Sequence, residues 1–131
     1  MKARIGFVSN SSSCSFIVSY RKGDKAAKVL VSMLNGEESA LRIKTCDELL
    51  KDADDIITEV KSEFGDDADI SSWMDWKKEL MKKREDAAEK GREIIEITVP
   101  YEAVSYIKPV LEKLVNDGTF TIIEDYDYFF G

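Results

Sequence analysis

The sequence predicts an α+β domain: a four-stranded antiparallel sheet built from two strand–helix–strand units on a ferredoxin-like plan, with a helical hairpin inserted between them. Two observations carry this. Residues 93–99 (a β-branched run), 101–116 (a helical pattern) and 119–124 (a second β-prone run) follow one another with almost nothing between. The same order occurs earlier, in residues 14–20, 24–34 and 39–44. Two such units in tandem, with right-handed crossovers, can close into one antiparallel sheet with both helices on one face. The sheet-forming units are then 14–44 and 92–125, the hairpin insert is 45–91, and residues 1–131 make a single domain. The runs 14–20 and 93–99, richest in apolar residues, are expected side by side in the centre. The alternative is a sandwich in which the hairpin covers the sheet's second face.

Composition narrows the chemistry. With 131 residues, 44% apolar and 34% charged, the chain has the makeup of one ordinary folded domain and no run long enough to span a bilayer. The net charge of −7 works against long-range attraction to nucleic acid or anionic lipid. There is no histidine, so the usual neutral-pH base, imidazole-dependent dyads and histidine-containing zinc sites are excluded. Cys14 and Cys46 are too few for a disulfide framework, and no basic–apolar–small secretory pattern opens the chain, so a reducing cytoplasm is expected. No cofactor or metal is expected.

The opening segment places Ser9, Asn10, Ser11, Ser12, Ser13 and Ser15 between Phe7-Val8 and Phe16-Ile17-Val18. Hydroxyls bracketed by apolar anchors suggest an ordered loop. This stretch resembles the Arg-x-Gly-Phe-Val-Ser-Asn-Ser-Ser-Ser-x-Ser-Phe opening of assorted uncharacterised proteins of large tailed bacteriophages. The resemblance implies a phage gene and a recognition or modification segment, but no activity. It covers residues 4–16, and Cys14 interrupts the serine run. A serine-rich turn can also cradle an anion, though no P-loop pattern is present and self-bonded turns are commoner.

Asp24 caps a helix whose Ala26, Val29, Leu30, Met33 and Leu34 form an apolar stripe, and Asn35-Gly36 ends it. Leu41 and Ile43 then alternate with Arg42 and Lys44, as in an edge strand with one wet face. Thr45-Cys-Asp-Glu48 reads as a capping box, followed by Leu49, Ala53, Ile56, Ile57, Val60 and Phe64 at helical spacing. After Gly65-Asp66-Asp67 a third helix spans 72–90. It has Trp73, Trp76, Leu80 and Ala87 on one side and Lys77, Lys78, Lys82, Lys83 and Arg84 on the other. The acidic turn fails as an EF-hand from Asp67, because Ser72 stands where the glycine belongs and Lys78 where the bidentate glutamate belongs. Cys46 reads as structural. The hairpin is expected to be an add-on and the more mobile part.

In the last unit Pro100 suits a first helical turn, Val104, Ile107, Leu111, Leu114 and Val115 face inward, and Pro109 is expected to kink or restart the helix. The chain closes on an acidic, aromatic tail, residues 124–131. Trp73, Trp76, Tyr126, Tyr128, Phe129 and Phe130 are six of the thirteen aromatic residues, gathered beside charges of opposite sign. Rings rimmed by charge are what interface hot spots use. Candidate partner-binding residues are therefore Trp73, Lys77, Lys78, Lys82, Lys83, Tyr126, Tyr128, Phe129 and Phe130, with Trp76 expected in the core and the tail expected to be dispensable for folding. The expected function is that of a small, non-catalytic phage accessory protein. It would bind a host protein in the bacterial cytoplasm and inhibit or redirect it, counter-defence being one form. The alternatives are a virion or self-assembly component, hence a homo-oligomer, and an enzyme using carboxylates such as Glu124, Asp125 and Asp127. Neither a membrane nor nucleic acid is an expected partner.

Overall fold

The computed structural model describes residues 13–34, 41–127 and 129–130. The expectations for Ser9, Asn10, Ser11, Ser12, Asn35-Gly36 and Tyr128 fall outside them. The element order is β1 (Ser13–Arg21), α1 (Lys25–Leu34), β2 (Arg42–Thr45), α2 (Cys46–Phe64), α3 (Ser71–Glu89), β3 (Arg92–Pro100), α4 (Tyr101–Asn116) and β4 (Thr121–Glu124). The four strands form one sheet in the order β2-β3-β1-β4, and every neighbouring pair is antiparallel. The fold is therefore α+β. The two apolar runs are the central neighbours, with Phe16 opposite Ile97 and Val18 opposite Ile95.

Strand alternation sends side chains to two separate cores. On one face Phe16, Val18 and Tyr20 of β1 join Ile95, Ile97 and Val99 of β3, and Ala27 of α1, Ala103 and Leu111 of α4, and Phe120 cover them. On the other face Ile17 and Ile94 meet Leu49 and Ala53 of α2 and Trp76, Leu80 and Ala87 of α3. Helices thus pack on both faces. This explains why residues 14–20 are buried without a break, since a strand covered on both faces has no wet side.

Local chemistry sets the helix ends. Thr45 Oγ1 accepts from the Glu48 amide at 3.2 Å while Glu48 Oε1 accepts from the Thr45 amide at 3.1 Å, the expected capping box. Asp24 Oδ1 accepts from the Ala27 amide and starts α1. Gly91, at φ 69°, reverses the chain between α3 and β3, and its carbonyl accepts from the Lys22 amide beside the end of β1. At the start of α3 Asp69 bonds the Ser71 amide and hydroxyl.

Several expectations are corrected. The face of α1 on the core carries Ala27 and Val31, whereas Ala26 and Val29 of the expected stripe are exposed, an offset of about one residue of helical phase; the side chains of Leu30, Met33 and Leu34 lie outside the described residues. Phe64, on the expected apolar face of α2, is 72% exposed at the end of the helix, while Trp73 and Trp76 pack with Leu49, Ala53 and Ile56 of the same helix. The expected wet face of β2 is partly covered, because Lys44 pairs with Asp52 of α2. Pro100 is the N-cap of α4, and α4 runs through Pro109 as one helix. Pro109 is exposed, and the ring interrupts only the solvent side. Strand β4 starts at Thr121 because Asp117 draws the Thr119 amide into the preceding turn.

Phe16 is fully buried and stacks on another ring, while Phe64 is mostly exposed. Phe16→Ala should therefore lower the unfolding free energy by about 3–5 kcal/mol. Phe64→Ser should change it by less than about 0.5 kcal/mol. Urea denaturation of the two variants checks both values, and similar losses would contradict this division of the core.

Candidate functional site

Helix α3 is where the charged and aromatic candidates meet. Its inner side carries Trp76, Leu80 and Ala87, buried against the sheet, with Trp73 half-buried beside them. On its flanks Lys77 Nζ pairs with Asp54 and Arg84 with Asp47, both on α2, and Lys83 Nζ lies 2.6 Å from Glu124 Oε1 of β4 and 3.3 Å from Glu79. Three cations of the basic side are thus stitched to acids of the same domain. Pairs this exposed contribute little each, and their effect is to fix where α3 lies.

The outward side is different. Met74, Lys78, Met81 and Lys82 are exposed and lie four, three and one residues apart, so they share one strip of helix surface. Met74 and Met81 were absent from the sequence-level candidates, although their spacing with Lys78 and Lys82 is readable in the sequence.

The tail is joined to both cores. Trp76 Nε1 donates to Tyr126 Oη at 2.9 Å on the α3 side. Phe129, only 4% exposed, and Phe130 both reach the opposite face, with ring centroids 4.9 and 4.8 Å from Phe16. Between these anchors Asp125 accepts from the amides of Phe129 and Phe130, and Asp127 Oδ2 accepts from the Ser15 amide at 2.7 Å. Glu124, Asp125 and Asp127 are therefore each committed to holding the tail or α3. Of the serine segment, Ser13 opens β1 and Ser15 is buried, its hydroxyl 3.0 Å from that of Thr98.

Three further polar groups lie on β1, β3 and the first turn of α2. Tyr20 Oη donates to Glu93 Oε2 at 2.7 Å. Burial pushes this phenol up to about 12, and the hydrogen bond and negative charge of Glu93 add to the effect. Burial likewise raises the Cys46 thiol, opposed by the Arg84 charge and assisted by Asp47, which fits a structural rather than a reactive cysteine. Glu96, 1% exposed, sits in β3 opposite Lys44 of β2. Among the described residues no three or more Cys, Asp or Glu gather as a metal site, and no helix is long and apolar enough to cross a membrane.

Arg92 is the feature that sequence reasoning missed. Its Nε donates to Ser19 Oγ at 2.9 Å, and its Nη2 to the Ser19 carbonyl at 2.8 Å and to Thr121 Oγ1 at 3.1 Å. One guanidinium thus ties β1, β3 and β4 together at a cleft beside α3. Nothing in the linear sequence distinguishes it from any other arginine at a strand start. Comparisons with family models, curated proteins and solved structures return no match for this chain.

Two outcomes follow. Phe129→Ala should cost roughly 3 kcal/mol of stability, and removal of residues 126–131 more, because both core faces lose an anchor. Thermal and urea melts test this, and a truncated chain as stable as the parent would contradict it. For Tyr20, a raised folded pKa against an unfolded value of 10.0 means the contribution is intact below pH 10 and lost as pH climbs towards about 12. Ultraviolet titration of phenolate should show Glu93→Gln lowering that midpoint.

Proposed function

We propose that this chain is a small, non-catalytic binding protein of phage origin that docks a host protein through the outward face of α3 and so inhibits or redirects it. The observation that carries the reading is the strip formed by Met74, Lys78, Met81 and Lys82. It is apolar and cationic on a chain of net charge −7, while Lys77, Lys83 and Arg84 are tied into ion pairs. Flexible thioether side chains adapt to irregular apolar surfaces. The neighbouring ammonium groups favour an acidic rim and speed encounter with it. The partner is therefore a host protein surface with apolar pockets and acidic edges, and the setting is the bacterial cytoplasm.

Of the residues first proposed for partner contact, Lys78 and Lys82 lead this reading. Trp73 and Lys77 border the strip, Lys83 and Tyr126 hold α3 from the sheet side, and Phe129 and Phe130 belong to the opposite core and take no part in it. The strand order supports a ferredoxin-like plan, with β1-α1-β2 and β3-α4-β4 as its two halves and α2–α3 as the inserted hairpin that presents the contact face. The resemblance of residues 4–16 to phage protein openings supports the origin.

The test separates folding from binding. Lys78→Glu with Lys82→Glu, and separately Met74→Ser with Met81→Ser, should preserve circular dichroism and melting, since all four side chains are exposed. Affinity capture from bacterial lysate with mass spectrometry should then lose, in both double variants, the proteins that the parent retains. Unchanged capture by both folded variants would refute this contact face.

A further inference from the structure

A second surface of α3 has different chemistry. Where its C-terminal half passes over β4 it leaves a cleft of about 340 Å³, within the range that small ligands occupy. Its floor is Arg92 with the hydroxyls of Ser19 and Thr121, Ala87 and Ile123 supply an apolar wall, and Lys90 and Asp86 stand on the α3 side. Lys83 also lines the cleft, but Glu124 and Glu79 neutralise it.

Arg92 decides what the cleft can hold. Its Nε and Nη2 are occupied by Ser19 and Thr121, which fixes the guanidinium plane in advance. Among the described residues Nη1 makes no hydrogen bond, so two charged N–H donors are already oriented without a protein acceptor. A pre-positioned guanidinium recognises the oxygens of an anion with little further ordering. Ser19 and Thr121 accept from Arg92 through oxygen and each keeps a hydroxyl proton to donate. Lys90, exposed at the C-cap of α3, adds a mobile positive charge. A second cleft, of about 260 Å³, shares Arg92, but there Asp47 and Glu93 balance Arg84 and Lys22. Asp86 likewise offsets Lys90 on the β4 side, so in both clefts Arg92 carries the one positive charge in excess, and the hydrogen bond to Thr121 ties its guanidinium to the β4 side.

We propose that the cleft between α3 and β4 binds a small organic phosphate, its phosphoryl oxygens on Arg92 and Lys90 and its apolar body on Ala87 and Ile123. A phosphomonoester offers three acceptor oxygens and a charge near −2 above its second pKa of about 6, which matches several donors better than a single carboxylate does. The inference does not use the outward strip of α3 and stands or falls separately from it.

Phenyl phosphate is the probe, with inorganic phosphate and phenol as its two halves, each titrated into the full-length protein and followed by amide NMR. Saturable shifts are expected at Ser19, at Lys90 to Arg92 and at Thr121 to Ile123. Phenyl phosphate should bind at least about ten-fold more tightly than either half, since the polar and apolar contributions add. Binding should strengthen as pH rises through about 6, where the dianion forms. Lys90→Glu, at an exposed position, should weaken binding, and Asp86→Asn should tighten it, each by roughly two- to five-fold. Arg92→Lys, checked for folding by circular dichroism, should weaken it by about ten-fold or more because the planar fork is lost. The proposal is overturned if no saturable shift is confined to the cleft. It is equally overturned if Lys90→Glu and Asp86→Asn leave the affinity unchanged.

Discussion

β1 is enclosed on four sides. Phe16, Val18 and Tyr20 press into one core and Ile17 into the other, β3 pairs along one edge for nine residues, and β4 takes the second edge at Ile17 to Ser19. Beyond β4's reach Asp127 supplies the acceptor for the Ser15 amide. A buried amide without a partner costs on the order of a lost hydrogen bond, so this carboxylate is a structural extension of the short strand. Enclosure of β1 therefore requires the helices on both faces and the tail that follows β4, and neither is optional trim.

That requirement explains where the charges lie. The sheet face under α2 and α3 is more polar than apolar along β1 and β3, with Ser15, Ser19, Glu96 and Thr98 around Ile17 and Ile94. Hydrophobic burial alone places a helical layer weakly on such a face. Directional contacts supply the rest: Trp76 to Tyr126, Lys83 to Glu124 and Lys44 to Asp52. The same partly polar face leaves the cleft at Arg92 open, where a wholly apolar face would have closed on itself. Fold and candidate ligand site thus share one cause.

Much of this was legible in the sequence. The β-branched runs and the capping box at Thr45 mark β1, β3 and the start of α2, because those signals are local. The inward stripe of α4 was equally plain, since Val104, Ile107, Leu111, Leu114 and Val115 repeat at helical spacing. In α1 the apolar residues are too numerous to fix a phase, and the face chosen from spacing differs from the one carrying Ala27 and Val31. The tail's aromatics looked like exposed anchors because nothing in a short segment tells whether Phe129 meets a partner or Phe16. The cations of α3 looked like one patch. Their division into tied and outward groups depends on Asp47, Asp54 and Glu124, which only folding brings near. Arg92 carried no sequence signal at all, since its role arises from β1 and β4 meeting beside it.

The central claim is that α2 and α3 form a layer integral to the sheet, held by the tail as well as by the core. Native-state hydrogen exchange resolved by residue tests it most directly. The account predicts that the amides of α3 around Trp76 to Ala87 are protected, open in concert with those of β1 and β3, and lose that concerted protection when residues 126–131 are removed. Exchange of α3 as fast as an isolated helix, while β1 and β3 stay slow in the intact chain, would contradict it.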